Sequence, residues 1–547
     1  MAGIEVVEAS IADLRRALER GDTTAVGLVE AHLARIDAYD PVLNAVPVRN
    51  PAALDEARAA DERRNAGRVL GPLDGIPYTA KESYAVRGLT VAAGSPAFEH
   101  LVAQRDAFTI ERLRAGGAIC LGLTTMPPMA NGGMQRGLHG RAESPYDPGF
   151  LTAAFASGSS NGSGTATAAS FAAFGLGEET WSSGRAPATN NGLVAYTPSR
   201  GVISIRGNWP LVPTMDVVVP HTRSVADLLE VLDLIVAPDA ETDGDFWREQ
   251  PWVALPPVEQ QRPASYRALA GSLAGLRLGV PTMYIGGDPD IPVRPSVLER
   301  WRRTRELLEA RGAEVVELEL DVVPVYEQGV RGGQQGLVDR GLVPPDYLDR
   351  ELWDLSIRSW DLFLRRNGDP ALHRLADVDG PRIFPHPAGA LPDRYGDADL
   401  DLAEYVERAK RGVPDLLEIP AIPDGVRGLE RAREELFEAQ LDARGLDAVV
   451  FPAVADVGPA DADTNPASAD LAWRNGTWVA NGNLVIRHLG IPTVTVPMGL
   501  MADIGMPIGL TIAGRGQDDV RLLTIAAAME AEGVTERAAP PRTPPLL

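Results

Sequence analysis

Lysine stands at only two positions of the 547-residue chain, Lys81 and Lys410, and arginine supplies the rest of the 52 basic residues. A lysine can release its proton at accessible pH and serve as a base, whereas an arginine stays charged. Lys410 closes the charged amphipathic run 404–411, where a solvated cation does no chemistry. Lys81 ends Leu73-Asp-Gly-Ile-Pro-Tyr-Thr-Ala-Lys81, an apolar strand-like run in which burial would weaken its hold on a proton. A second pattern sets serine within glycine: Gly158-Ser-Ser-Asn-Gly-Ser-Gly164, then Gly177-Glu-Glu-Thr-Trp-Ser-Ser-Gly-Arg-Ala-Pro-Ala188. Loops of small residues let several backbone N–H groups converge on a developing oxyanion. Taken alone, the glycine run reads as a loop feeding a tightly packed helix.

The elements that must position these residues alternate in type. Residues 10–39 carry apolar side chains at helical spacing, with Ser10 as N-cap and Asp13 in the first turn. A second helix is expected over about 52–64, followed by strand, helix and strand over 76–80, 106–115 and 118–123. The spacing predicts a small-residue helix over 165–174 and strands at 448–451 and 491–497. Such alternation favours an α/β sheet with helices on both faces. The division expected within this single domain is N-terminal helices to about 70, a catalytic core to about 280, a helical, loop-rich insert to about 445, and strands with a helix from about 446 to 540. The proline-rich C-terminal end reads as a frayed tail.

Composition narrows the functions. A net charge of −23 repels phosphate backbones and anionic membranes, so no nucleic acid and no membrane is expected as partner. The N-terminus lacks a basic-then-apolar signal pattern, and the single cysteine, Cys120, fits a reducing cytoplasm and reads as a buried small hydrophobe. The chain carries no HExxH, CxxC or phosphate-loop pattern, so the chemistry is expected to need no metal and no cofactor.

Three blocks in order, 71–81 ending in Lys81, Gly158-Ser-Ser-Asn-Gly-Ser163 and Thr180-Trp-Ser-Ser-Gly-Arg-Ala-Pro-Ala188, resemble the amidase signature family. The 24-position interval between Ser159 and Ser183 matches that family's spacing, and the likeness extends over nearly the whole chain. The resemblance implies an α/β fold, an α/β/α sandwich around a large mixed β-sheet with a helical insert, and a Ser–cis-Ser–Lys triad: Ser183 attacks a carbonyl, Ser159 relays its proton, and neutral Lys81 receives it. It implies a cis peptide between Gly158 and Ser159, and an oxyanion hole from the backbone N–H groups of Thr180, Trp181, Ser182 and Ser183. Glu179 and Arg185 are expected to pair and brace the loop. Met126, Met129 and Asn131 fall in a segment that lines the pocket in relatives, though taken alone they read as core. Trp181-Ser182 stands where the family commonly has Gly-Gly, so Trp181 is expected either to wall the pocket and favour flat or apolar acyl groups or to pack as core. Asn161 replaces a usual glycine, and its amide is expected to bond within the site.

The reaction so implied is hydrolysis of a carbon–nitrogen bond in a small-molecule amide, anilide or carbamate through an acyl-enzyme. Three alternatives stay open. Gly158-Ser-Ser-Asn-Gly162 also fits a GxSxG nucleophile elbow, with Ser160 attacking and His488 as base. The others are two subunit roles within the same family, one non-catalytic and one of the amidotransferase type that serves misacylated tRNA. A homodimer is the working expectation for assembly, which no residue pattern specifies.

Overall fold

The computed structural model describes residues 5–327, 335–396 and 400–546. The first helices form where the periodicity places them. Ser10 caps α1 (Ile11–Arg20) in a reciprocal box: its hydroxyl accepts from the Asp13 amide while the Asp13 carboxylate accepts from the Ser10 amide. Gly21 ends that helix at φ 74°, so the run divides into α1 and α2 (Ala25–Leu43). Next come β1 (Val48–Arg49), α3 (Ala53–Asn65), β2 (Pro77–Lys81), α4 (Phe108–Ala115) and β3 (Ile119–Thr124).

The helix expected over 165–174 lies earlier, as α5 (Asn161–Ala168), and the chain then turns through Ser170 at φ 54° into β4 (Phe174–Glu179). Two glycines hide this strand from periodicity. A Cβ on Gly175 would lie 2.5 Å from Thr167 Oγ1, and one on Gly177 would lie 2.8 Å from the His221 ring. Close approach of α5 and of His221 to β4 therefore excludes the β-branched residues that usually mark a strand.

The remaining core elements are α6 (Arg185–Asn190), β5 (Val194–Thr197), β6 (Val217–Thr222), α7 (Val225–Ile235), β7 (Arg277–Pro281), β8 (Glu314–Leu318), β9 (Ala448–Pro452), β10 (Thr493–Leu500) and β11 (Pro507–Ala513). The eleven strands form one mixed sheet in the order β1-β3-β2-β4-β6-β5-β10-β11-β9-β7-β8. β2 runs parallel to both β3 and β4, whereas β4 and β6 are antiparallel. The region expected as a helical, loop-rich insert also supplies β8, an edge strand parallel to β7. Only Val315 and Leu318 are buried among its five residues, too few for a strong strand signal. Helices Ser356–Asn367, Leu402–Arg411 and Ile422–Arg433 follow in this region.

The tail is tied down rather than frayed. The buried Arg35 guanidinium donates to the carbonyls of Thr543 at 2.8 Å and Pro544 at 2.9 Å, because a buried cation requires acceptors. Cys120 is buried, and desolvation pushes its thiol up to about 12, so it stays protonated. Among the described residues no helix is long and apolar enough to cross a membrane.

Candidate active site

Parallel pairing sets the first contact. The register Ala80↔Leu176, with Tyr78 stacked on Phe174 at 5.4 Å, brings Lys81 beside the second half of β4. The Lys81 amine is fully buried and donates to Ser159 Oγ at 2.7 Å, with Ser159 also fully buried. Desolvation drives the amine below the ordinary lysine value, and the Glu178 carboxylate, 3.7 Å away, opposes that shift.

The loop carrying Ser159 lies along the loop carrying Ser183. The Ser160 amide donates to the Ser183 carbonyl at 3.3 Å, and the Ser182 hydroxyl donates to the Ser157 carbonyl at 2.8 Å. Ser183 itself is 3% exposed, nearly sealed by these contacts. The Gly158–Ser159 peptide is trans, as is every peptide bond among the described residues, against the implied cis bond. Lys81 reaches Ser159 Oγ with this bond trans.

Ser182 differs from the expected oxyanion donors. Its N–H donates to Ser157 Oγ at 3.0 Å, and its hydroxyl accepts from the Ala480 amide at 3.1 Å, so it stitches three segments together. The loop is braced from below. Arg185 donates through Nε to Glu179 at 2.8 Å, and the second Glu179 oxygen accepts the amides of Gly184 and Arg185 at 2.9 Å each. Both side chains are fully buried, and Arg185 also donates to the carbonyls of Trp181 and Asn481.

Ser160 is placed differently from an elbow nucleophile. Its fully buried hydroxyl donates to the Glu178 carbonyl at 2.9 Å and accepts from the Glu178 amide at 3.0 Å. No strand leads directly into it, and His488 is engaged instead by Glu351 at 2.9 Å and Tyr326 at 2.6 Å. The Ser160–His488 alternative thus fails on geometry.

Two residues before Ser183, Trp181 is half-buried and meets Tyr395 and Trp478 edge-on at 6.1 and 6.2 Å. Trp473 and Phe155 extend the aromatic group, with Tyr395–Trp473 at 5.0 Å and Phe155–Trp473 at 5.4 Å. Met126 and Met129 are buried in the core, and Asn131 is partly exposed. The Asn161 amide bonds the Gly133 carbonyl and the Ala142 amide, so it holds that neighbouring segment rather than the reacting centre.

Sequence reasoning missed three acid or imidazole groups at this centre. Glu178 has a buried carboxyl that accepts from Ser83, and burial raises it above the ordinary carboxylate value. Asp216 accepts from Thr180 at 2.6 Å and is raised to about 8 by burial and by the Glu178 charge. His221, lowered to about 4 by burial, lies between Ser163 Oγ and the Gly184 carbonyl, 3.0 Å from each. The one available signal was a pair of adjacent glutamates inside an otherwise small-residue stretch.

Comparison with known proteins follows the same lines. The amidase family model matches residues 27–330. A glutamyl-tRNA(Gln) amidotransferase subunit from Cereibacter sphaeroides is 28% identical over 97% of this chain and 98% of its own. The native peptide amidase structure from Stenotrophomonas maltophilia superposes with a TM-score of 0.72 at 26% identity, covering 97% of this chain and 98% of that one. An amidase family protein from Bacillus anthracis strain Ames shares the fold, with a TM-score of 0.73 at 22% identity over 98% of this chain and 92% of its own.

Proposed function

The chain belongs to the amidase signature family of carbon–nitrogen hydrolases, and from that membership we propose that it cleaves a small-molecule amide, anilide or carbamate through an ester on Ser183. The observation that carries this reading is the buried 2.7 Å contact between the Lys81 amine and Ser159 Oγ, one residue before the Ser160 amide that bonds the Ser183 carbonyl. In the proposed cycle the Ser183 hydroxyl attacks the carbonyl carbon, its proton passes to Ser159, and the Ser159 proton passes to neutral Lys81. The ammonium returns a proton through Ser159 to the leaving nitrogen, and the C–N bond breaks. Water then attacks the ester by the same relay. The amides of Thr180, Trp181 and Ser183 stabilise the oxyanion, and the Glu179–Arg185 pair keeps their loop in place.

For the substrate, the aromatic group of Trp181, Tyr395 and Trp478 supports a flat or apolar acyl moiety. A purified-protein panel of aryl amides, aliphatic amides and carbamates tests this, with aryl amides turned over fastest. Covalent labelling of wild type by an aryl fluorophosphonate, lost in Ser183→Ala and kept in Ser160→Ala, tests the nucleophile; the reverse pattern rejects it.

The likeness to an amidotransferase component supports a second reading, in which the hydrolytic site works within a larger assembly. The net charge of −23 weighs against contact with tRNA by this chain itself. Isolated chain that hydrolyses amides at full rate without a partner favours the first reading, and co-purification with a required partner the second.

A further inference from the structure

The fully buried Lys81 amine is faced from several elements by ionisable groups: Glu178 and Glu179 on β4, Asp216 before β6, and His221 on β6. Three of these are committed elsewhere. Glu179 is taken up by Arg185 and two amides, Asp216 by Thr180 and the Leu211 and Val212 amides, and His221 by Ser163 and Gly184. Tyr84, whose amide donates to the Lys81 carbonyl, commits its hydroxyl to the Gly177 carbonyl at 2.5 Å. Glu178 is the exception. It is 2% exposed, its Oε2 accepts from Ser83 and lies 3.7 Å from the amine, and its Oε1 is buried without a hydrogen-bond partner.

Resting on the assignment of Lys81 as base, we propose that Glu178 is a positioning residue for it: its carboxylate fixes the amine on Ser159 and offsets burial so that the amine stays basic. Desolvation alone favours the neutral amine but also makes it a poor proton acceptor, and the best general base is one whose affinity lies near the working pH. A carboxylate at this distance restores part of the lost affinity. It stays outside the bond-making steps, since the proton moves only among Ser183, Ser159, Lys81 and the leaving nitrogen.

The test is the pH dependence of aryl fluorophosphonate labelling in wild type, Glu178→Gln, Ser83→Ala and Lys81→Ala. In Glu178→Gln the acid limb is expected about one unit or more lower, because the ammonium has lost its counter-charge. The plateau rate is expected to fall about tenfold as the base weakens. Glu178→Asp is expected to move the limb back towards wild type. Ser83→Ala removes a donor that favours the ionised form of Glu178, so it is expected to weaken the counter-charge and shift the limb in the same direction by less, and it serves if Glu178→Gln does not fold. A limb unmoved in Glu178→Gln, or in Ser83→Ala where the first is insoluble, overturns the proposal. The two assignments separate cleanly. Labelling at the wild-type rate in Lys81→Ala removes the base itself, whereas a silent Lys81→Ala with an unmoved Glu178→Gln limb removes only the role of Glu178.

Discussion

The strand end that carries Lys81 and the helix end that carries Lys410 place the same side chain in opposite settings. Lys81 is fully buried, on a serine hydroxyl, with a carboxylate 3.7 Å away. Lys410 stands half out of the protein at the end of the helix Leu402–Arg411, paired with Glu407 at 2.7 Å and flanked by Arg408 and Arg411. An exposed pair of this kind is worth at most about 1 kcal/mol. Burial makes the difference: it removes water from the Lys81 amine and so makes its neutral form reachable, while Lys410 stays in contact with solvent.

The largest effect expected from breaking this contrast is on activity. Lys81→Arg keeps charge and approximate reach but removes basicity, and should lower kcat/KM by about 10³-fold or more, whereas Lys410→Arg should leave it unchanged. Steady-state kinetics on one aryl amide checks both. Next is the brace under the nucleophile loop. Glu179→Gln leaves Arg185 charged and buried, and should destabilise the fold by about 3–5 kcal/mol in denaturant unfolding.

The imidazole beneath the same loop gives a smaller, pH-dependent effect. His221 is held neutral, its folded value of about 4 lying below the ordinary 6.5. The unfolded chain therefore binds more protons between those values, so stability is present above pH 6.5 and is lost as pH falls towards about 4. The loss should be on the order of 3 kcal/mol, and should be absent in a folded His221→Gln variant. Trp181→Gly should change the preference for aryl over small acyl groups by about tenfold, read as a ratio of kcat/KM values. The smallest change belongs to the exposed lysine: Lys410→Ala should alter stability by less than about 0.5 kcal/mol.

The contrast between the lysines was legible in the residues, because an apolar run on one side and a charged run on the other announce burial and exposure. The sheet was legible for the same reason where strands are apolar, as in β2, β3, β9 and β10. It was hidden in β4, where Gly175 and Gly177 serve close packing, and in β8, whose edge position leaves much of it exposed. The partners of Lys81 divided likewise. Ser159 was marked by the family resemblance, but Glu178 becomes a neighbour only through the parallel pairing of β2 and β4, a contact made across nearly a hundred residues. Ser182 shows the same limit: its residue type leaves its amide open as an oxyanion donor, and only the approach of Ser157 commits it. The docking of 543–544 onto Arg35 was also beyond local reading, since a proline-rich end looks loose until a buried guanidinium claims its carbonyls.

The most direct test of a buried, neutralisable amine at Lys81 acting on Ser183 is the rate of fluorophosphonate acylation of Ser183 as a function of pH. Desolvation of the amine predicts a rate that rises with pH along a limb lying below the ordinary lysine value, and that limb should vanish in Lys81→Ala. A flat profile down into moderately acidic buffer, or the same limb surviving in Lys81→Ala, would contradict it.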